Sequence, residues 1–329
     1  MKLKKLLNPI HLQRVFILMC AVSFSSLLMA QTYPSKPIKA IVPFAAGSAT
    51  DQIGRAFAAK MSEILGQPIV VDNRPGVNGM LGADVVAKSD PDGYTILIGT
   101  NSTNAALKSL MKKLPYDQDT AFSPIGMMGE VPLIVAINND LPMKTLKDFI
   151  AYAKANPEKA TFASASTSQL VSSSMLASMA GISMTNVPYK SGPNAMTDLI
   201  GGQVMMFTAD FAVTLPQVQA GKIRGLAVTS VKRSSAIPEL PTVNEALGIK
   251  GYELIAYFAA YAPAKTPPAM IAKLNDALNQ AARSKEIQDR FANLGFEVEP
   301  GPPEALAKRN AIESAKWAKA IKEAGIELQ

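Results

Sequence analysis

The sequence contains one cysteine, Cys20, and one histidine, His11, and both lie within its first 30 residues. We predict that these 30 residues are a signal peptide, so the mature chain would have neither a thiol nor an imidazole. Histidine is the commonest general base, cysteine provides the thiolate nucleophile, and both are the usual zinc ligands. A chain without cysteine also forms no disulfide. The sequence therefore predicts a binding protein rather than an enzyme, with no metal and no cofactor.

The signal-peptide prediction rests on the pattern of residues 1–30. Four basic residues lie in the segment, an apolar run extends from Val15 to Leu28, and Ala30 is a suitable small residue before a cleavage point. A membrane anchor is one alternative, but the run is shorter than the roughly 20 residues that a spanning helix needs. A lipid anchor at Cys20 is another, but the residues before it fit that processing poorly. We expect the chain to be exported.

Charge is nearly balanced once the predicted signal is removed. The chain carries 33 basic and 26 acidic side chains, and four of the basic ones lie in the signal, which leaves a net charge of +3. This small excess argues against a nucleic-acid surface and is compatible with an anionic small ligand. Hydrophobic residues make up 48% and charged residues 18% of the chain, which is typical of a well-cored protein. The mature length of about 300 residues suffices for two lobes.

Short apolar runs alternate with helical stretches, which indicates α/β layers. The first strands and helices follow a β-α-β-α-β order, which is typical of parallel strands joined by crossover helices. The predicted strands are residues 38–44, 69–71, 94–99, 131–137, 160–163, 205–207 and 225–228, with an aromatic extended segment at 252–261. The predicted helices are residues 53–65, 81–87, 146–155, 170–179, 196–200, 268–282 and 303–324.

Three polar turns follow predicted strands, where open parallel sheets place their ligands. The first, residues 44–49, has small residues that leave backbone N–H groups accessible, and Ser48 with Asp51 forms an S-x-x-D helix cap. Free N–H groups and the helix dipole favour an anion there. Hydroxyl and amide side chains dominate the other two, residues 164–169 and 100–104. Ordinary capped or solvated turns have similar sequences, so each turn alone leaves both interpretations open.

Familiar cofactor and nucleophile motifs are incomplete. The glycines of residues 76–82 have the wrong spacing for a dinucleotide fingerprint and follow a turn rather than a strand. Residues 109–112 match S-x-x-K, but the partner motifs of penicillin-recognising enzymes are missing, and a helical segment explains them better. An exported hydrolase with a serine nucleophile would therefore lack both a histidine base and a nucleophile elbow.

Ordered segments along the whole mature chain share one family pattern. They are YPSKPI (33–38), VPF through TD (42–51), VDNRPG (71–76), GA (82–83), PDGYT (91–95), VPYK (187–190), LIGGQV (199–204), AGKIRGLAVT (220–229) and PELPTV (238–243). The pattern resembles the periplasmic solute receptors of tripartite tricarboxylate transporters, also called the Bug family. The resemblance implies a two-lobe fold similar to type II periplasmic binding proteins, each lobe a mostly parallel sheet flanked by helices. Lobe 1 would comprise residues 31–131 plus 254–329, and lobe 2 residues 132–253.

The resemblance also implies how a small organic carboxylate is held between the lobes. Backbone N–H groups, hydroxyls and bridging waters would hold it, from the first turn on one side and the serine-rich turn on the other. The implied contact residues are Phe44, Ala46, Gly47, Ser48, Ala49, Ala165, Ser166, Thr167 and Ser168, with Asp51 and Asp210 positioning groups or waters, Asn101 and Ser102 as wall, and Tyr189 and Tyr257 as cover. The implied partner is the transporter's membrane permease, and we expect a monomer with no nucleic-acid partner.

Two positions depart from the family pattern. Relatives often have Pro-Gly-Gly at the first turn, where this chain has Ala45-Ala46-Gly47-Ser48, so we expect a ligand other than the common C4 and C6 acids. Met205 stands where Asp usually follows Gly-Gly-Gln-Val, and we expect it to affect a strand rather than the ligand. The acid stays open among citrate-like, short dicarboxylic and aromatic acids, the last stacked by Tyr257 or Phe258. Transport and signalling through a membrane sensor kinase also both stay open.

Overall fold

Strands and helices alternate along residues 33–329, the part of the chain that the computed structural model describes. The predicted signal peptide lies outside the described residues. The strands are β1 (Ile38–Val42), β2 (Ile69–Asn73), β3 (Thr95–Thr100), β4 (Phe122–Asn138), β5 (Thr161–Ser164), β6 (Thr185–Pro188), β7 (Met206–Asp210), β8 (Ile223–Val228), β9 (Ile255–Pro263) and β10 (Glu297–Val298). Within the described part, no helix combines the length and the apolar character needed to cross a membrane.

The helices connect these strands and cover the sheet. The α-helices are α1 (Ala49–Leu65), α2 (Met80–Ala87), α3 (Leu107–Leu110), α4 (Leu146–Ala155), α5 (Thr167–Ala180), α6 (Gly192–Ile200), α7 (Phe211–Gln219), α8 (Val243–Leu247), α9 (Pro268–Arg283), α10 (Lys285–Ala292) and α11 (Pro303–Glu323). A 3₁₀ turn at Val77–Gly79 precedes α2, and a π-helix at Ser102–Ala106 precedes α3.

The N-terminal β-α-β-α-β segment begins one half of the sheet. Strand β1 pairs in parallel with β2 and with β3, which confirms the crossover topology predicted for this segment. Strand β9 pairs antiparallel with β3, and β4 pairs antiparallel with β9, so the order here is β2-β1-β3-β9-β4. Because β9 comes late in the chain, the C-terminal segment returns to complete the half that the N-terminal segment begins.

Strand β4 connects this half to a second one. Its residues 122–132 pair with β9, whereas its residues 133–138 pair with β7 and β8. Beyond β7 follow β5 and then β6, and β5 is parallel to both of its neighbours. The molecule therefore has an α/β fold with two lobes and flanking helices. In each lobe parallel strands are joined by antiparallel ones, so the sheets are mixed rather than mostly parallel as expected.

Several elements differ from the sequence predictions for physical reasons. Strand β4 begins at Phe122, well before the predicted start at residue 131. The early start arises because residues 122–132 pair with β9 in the half that the N-terminal segment begins. Strand β6 was not predicted, since it is short, partly exposed and ends in Pro188. Helix α7 was not predicted either, and it contains Pro216, a residue that usually breaks a helix interior.

An aromatic core joins β9 to the C-terminal helices. Tyr257, Phe258 and Tyr261 of β9 are buried. The hydroxyl groups of Tyr257 and Tyr261 both donate to Asn310 Oδ1 of α11, at 3.0 and 2.9 Å. The Phe258 ring lies 5.8 Å from the ring of Phe296, measured between centroids. Since full burial of one such side chain contributes about 1.5–3 kcal/mol, this cluster fixes β9 and α11 to each other.

Candidate functional site

Five strand-to-helix turns meet at one cavity between the two lobes. The turns follow β1, β3, β5, β6 and β7, and the first residues of the helix after each turn line the cavity or adjoin it. The lining residues are Phe44, Ala45, Ser48, Ala49, Thr50, Thr100, Asn101, Ser102, Ala165, Ser166, Ser168, Gln169, Lys190, Ser191, Gly192, Asp210, Val213, Ala256 and Phe258. Helix N-termini carry partial positive charge, so their convergence makes the cavity attractive to an anion.

Asp51 holds the first turn in shape from within the protein. Its buried carboxylate accepts hydrogen bonds from the backbone N–H of Gly47 (3.0 Å), from Arg55 Nε (2.9 Å) and from Asn73 Nδ2 (2.9 Å). Burial opposes ionisation, but these donors outweigh it and hold the pKa of Asp51 below its ordinary value. Asp51 therefore anchors the turn as a charged group, and it does not line the cavity itself.

The start of α1 offers backbone donors to the cavity. Ser48 is the N-cap residue, and its Oγ accepts a hydrogen bond from the backbone N–H of Asp51 at 3.3 Å. Ala49 and Thr50, which both line the cavity, have backbone N–H groups that donate to no acceptor among the described residues. The first N–H groups of a helix have no partner within the helix, so these two are available to a bound anion.

The floor of the cavity links the two lobes by direct hydrogen bonds. Asn101 Nδ2 donates to Ser168 Oγ at 3.0 Å. The Oγ atoms of Ser102 and Ser168 lie 3.1 Å apart, and Ser102 Oγ also accepts from the backbone N–H of Ser168 at 3.3 Å. Asn101 Oδ1 accepts from the backbone N–H of Tyr257, so β9 fixes this amide group. The backbone N–H of Ser168 is thus already used and is not available to a ligand.

Two buried threonine hydroxyls beside the floor have no hydrogen-bond partner among the described residues. Thr100 lines the cavity, and Thr167 lies between the lining residues Ser166 and Ser168. A buried polar group without a partner costs about 1–3 kcal/mol. Such a group in a native protein calls for a water molecule or a ligand as its partner, and of the two residues Thr100 lines the cavity.

Asp210 is the only acidic side chain among the described residues that line the cavity. It is the N-cap residue of α7, but its side chain makes no capping hydrogen bond. Burial raises the pKa of Asp210 to about 6, against smaller opposing effects of its own backbone N–H and of the Gln169 side chain. The charge of the cavity therefore changes near neutral pH.

The sequence analysis named Tyr189 of the turn after β6 but missed the residues of this turn that line the cavity. The turn contributes Lys190, Ser191 and Gly192 to the lining. Ser191 caps α6 by accepting a hydrogen bond from the backbone N–H of Asn194 at 3.2 Å, and Pro193 lies in the first turn of this helix. A serine followed by an early proline is a helix-start signal, so the sequence did contain a clue. Lys190 is exposed and is the only basic side chain among the described lining residues.

Most of the residues predicted as ligand contacts line this cavity. They are Phe44, Ser48, Ala49, Asn101, Ser102, Ala165, Ser166, Ser168 and Asp210. Ala46 and Gly47 are exposed on the first turn next to the lining residues, and Thr167 is buried beside them. Tyr189 lines an adjoining cavity, and its hydroxyl donates to Asp198 Oδ2 at 2.9 Å.

The structure corrects the expectation that Tyr257 covers a ligand. Its side chain is 0% exposed and its hydroxyl donates to Asn310, so the ring lies inside the aromatic core rather than on the cavity. Only its backbone N–H reaches the floor, through Asn101. Among the described residues, Phe44 and Phe258 are the aromatic ones that line the cavity.

Comparison with known proteins identifies relatives along nearly the whole chain. The profile of the tripartite tricarboxylate transporter family receptor matches residues 53–326. The chain is 35% identical over 316 residues to the protein BugT of Bordetella pertussis, covering 95% of this chain and 97% of that protein. It is 36% identical over 294 residues to a protein from the tcbD-tcbE intergenic region of Pseudomonas sp. strain P51. This match covers 88% of this chain and 87% of that protein.

Solved structures with similar folds include a periplasmic binding protein and proteins solved with adipate or malate. The periplasmic binding protein BugD is 35% identical, with a TM-score of 0.87, over 90% of this chain and 100% of that one. Rpa4515 from R. palustris, solved with adipate, is 33% identical to this chain with a TM-score of 0.87. The match covers 90% of this chain and 100% of that one. MatC from Rhodopseudomonas palustris, solved with bound malate, is 30% identical to this chain with a TM-score of 0.84. The match covers 88% of this chain and 100% of that one.

Proposed function

Because the chain belongs to the tripartite tricarboxylate transporter family of receptors, we propose that it captures a small organic carboxylate between its lobes and delivers it to a membrane permease of that transporter type. It performs no chemistry on the ligand. Relatives solved with adipate and with malate support a carboxylate as the ligand class. The name of BugD as a periplasmic binding protein supports the periplasm as the site of action.

The convergence of helix N-termini on the cavity between the lobes is the observation that carries this proposal. The backbone N–H groups of Ala49 and Thr50 lie on one side, and the capped start of α5 at Ser166 lies on the other. A carboxylate placed between them accepts charge-assisted hydrogen bonds, which are stronger than neutral ones. Helix dipoles from both lobes add to the attraction, so a high density of cationic side chains is not required.

Ligand capture also selects a closed arrangement of the lobes. An anion that bridges donors of both lobes binds the closed form better than the open one and shifts the equilibrium by that difference. The permease would then recognise the closed form. We retain the lobe boundaries at residues 131/132 and 253/254 as a proposal. The change of partner within β4, from β9 to β7 and β8 after residue 132, supports the first of them.

Removing one backbone donor tests this mechanism. Ala49→Pro deletes a single N–H at the first position of α1, where proline is tolerated, and Ser48 at φ −67° and ψ 162° already has the backbone that must precede a proline. We expect a ten- to hundredfold weaker carboxylate affinity, since a hydrogen bond to a charged group contributes about 1.5–3 kcal/mol. Lys285→Pro, at the first position of α10 and remote from the cavity, is the matched control.

Calorimetry with a panel of mono-, di- and tricarboxylic acids and of aromatic acids measures the effect. Trp317, the only tryptophan, is buried beside the 253–255 crossing between the lobes, so its fluorescence gives a second reading of ligand binding. No binding by any of these acids would refute the proposal. Uptake of a labelled ligand in a deletion strain tests delivery, whereas normal uptake with lost induction would indicate signalling instead.

A further inference from the structure

We infer that a roomy side chamber next to the anion cavity holds the body of the bound acid, so that the ligand is a monocarboxylic acid with an aromatic or branched hydrophobic body. This inference rests on the proposed function, because it takes the carboxylate position as given. The side chamber is lined on one lobe by residues 75–79 and on the other by residues 188–190, with Phe44, Ala165 and Leu170 among its further walls.

The two cavities differ in size and share part of their lining. In the anion cavity the centre of a water-sized sphere can move through only about 40 Å³, whereas in the side chamber it can move through about 480 Å³. One water molecule needs roughly 10–15 Å³ on this measure, so the anion cavity has room for a carboxylate and little else. Phe44, Ala165 and Lys190 line both spaces, so the two cavities adjoin, and the proposed ligand places its carboxylate in the first and its body in the second.

The walls of the side chamber fit an uncharged body. Pro75, Val77, Pro188 and Leu170 present apolar surface, and Lys190 is the only charged side chain among the described lining residues. Lys190 stands at the junction with the anion cavity, and beyond it the described lining of the chamber offers polar groups such as Asn78 and Asn186 but no charged side chain. Ligand pockets that are mainly apolar with a few polar groups suit aromatic or branched bodies with isolated polar substituents.

One wall is built from a strained loop. Gly76, Val77, Asn78 and Gly79 all have positive φ, at 141°, 46°, 54° and 90°. A β-branched residue such as Val77 is a genuine outlier in that region, and backbone strain of this kind concentrates at ligand-binding sites. The loop holds the Val77 side chain, which is 45% exposed, on the wall of the chamber. Asparagine or glycine would adopt the same backbone more easily, so the valine indicates a role for its apolar surface.

The opposite wall is fixed by hydrogen bonds. The backbone N–H of Tyr189 donates to the carbonyl of Ser164 at 2.7 Å, and its hydroxyl donates to Asp198 at 2.9 Å. Ser164 Oγ donates to Asn186 Oδ1 at 2.7 Å. Such a preorganised wall binds a rigid body at low entropic cost. Because the two walls belong to different lobes, the body of the ligand would add to the closing of the cleft.

Two variants of Val77 test the inference, because both are expected to lower ligand affinity without lowering the stability of the protein. Val77→Asn and Val77→Gly remove apolar surface while easing the backbone, so we expect both to melt at or above the temperature of the natural protein. By calorimetry with benzoate, phenylacetate and isovalerate as probes, we expect at least tenfold tighter binding than for acetate or malate. Each variant should weaken binding of the larger acids about tenfold, in proportion to the apolar contact removed. Val231→Asn, at a valine 57% exposed and outside both cavities, should change neither property.

The outcomes separate the inference from the function it rests on. If malate, adipate or citrate binds more tightly than every hydrophobic monocarboxylate, the inference is overturned while the receptor function stands. Unchanged affinity of the larger acids in both Val77 variants would overturn it as well. If no carboxylate binds the natural protein at all, the proposed function itself fails.

Discussion

Replacing Asp210 by asparagine should stabilise the protein at alkaline pH and not at acid pH. Asp210 lines a cavity surrounded by helix N-termini, but its carboxylate has no cationic partner within hydrogen-bonding distance among the described residues. Burial raises the pKa of this group from 3.8 to about 6, although the Gln169 side chain acts in the opposite direction. The ionised carboxylate is therefore the less favourable form in the folded protein.

The size and sign of the effect follow from this difference in pKa. A difference of roughly two pH units corresponds to about 3 kcal/mol, since each unit is worth ~1.4 kcal/mol. The folded protein holds the Asp210 proton more tightly than the unfolded chain does, so this group favours folding at low pH. Stability falls as the pH rises from about 4 through the folded-state value of about 6, and the full cost is present above it. Asparagine carries no charge and avoids that cost.

Urea denaturation at several pH values measures the difference between the two proteins. We compare the free energy of unfolding of Asp210→Asn with that of the natural protein, and we expect the advantage of the variant to be about 2 kcal/mol larger at pH 8 than at pH 4. Asp140→Asn, at an exposed carboxylate, is the matched control and should leave the pH dependence of stability as it is. A difference between Asp210→Asn and the natural protein that stays constant from pH 4 to pH 8 would refute the reasoning.

Two other residues of the site give sharp tests. Asp51→Asn should destabilise the protein by about 2 kcal/mol at pH 7, because the turn loses charge-assisted hydrogen bonds from Arg55 and Gly47. Since the folded-state pKa of Asp51 is lowered, this loss should shrink as the pH falls below 3.8, which denaturation at pH 7 and pH 3 measures. Thr100→Val replaces an unpartnered buried hydroxyl, so the free protein should gain about 1 kcal/mol while carboxylate affinity falls about tenfold. Unchanged affinity in calorimetry would show that the hydroxyl does not meet the ligand.

The sequence predicted those parts of the site that depend on residues close together in the chain. A helix cap depends on residues three positions apart, so the S-x-x-D pair of Ser48 and Asp51 could be read directly, and the structure has that cap. The serine-rich turn is a similar case, with Ser166 capping α5. The crossover order of the first strands was predictable because parallel strands need a connection of helix length.

The remaining parts depend on contacts between distant segments. Tyr257 was expected to cover the ligand because the family resemblance implied it, but its hydroxyl donates to Asn310 of α11, more than fifty residues later in the chain. The side chamber combines residues 75–79 with residues 188–190, and no local pattern relates these two segments. Strand β6 lacks an apolar run because both of its faces are partly exposed, so the strand and the cavity-lining residues 190–192 after it were not predicted.

The floor of the cavity connects this fold to ligand affinity. The hydrogen bonds from Asn101 and Ser102 to Ser168 cross from one lobe to the other and are buried, so they persist only when the lobes are close. In the proposed capture mechanism they would favour the closed form before any contribution from a ligand. The apparent dissociation constant of a two-state receptor equals the intrinsic value divided by the closed fraction. A receptor whose floor already holds the lobes together needs less binding energy for closing, which allows uncharged donors such as the N–H groups of Ala49 and Thr50 to suffice.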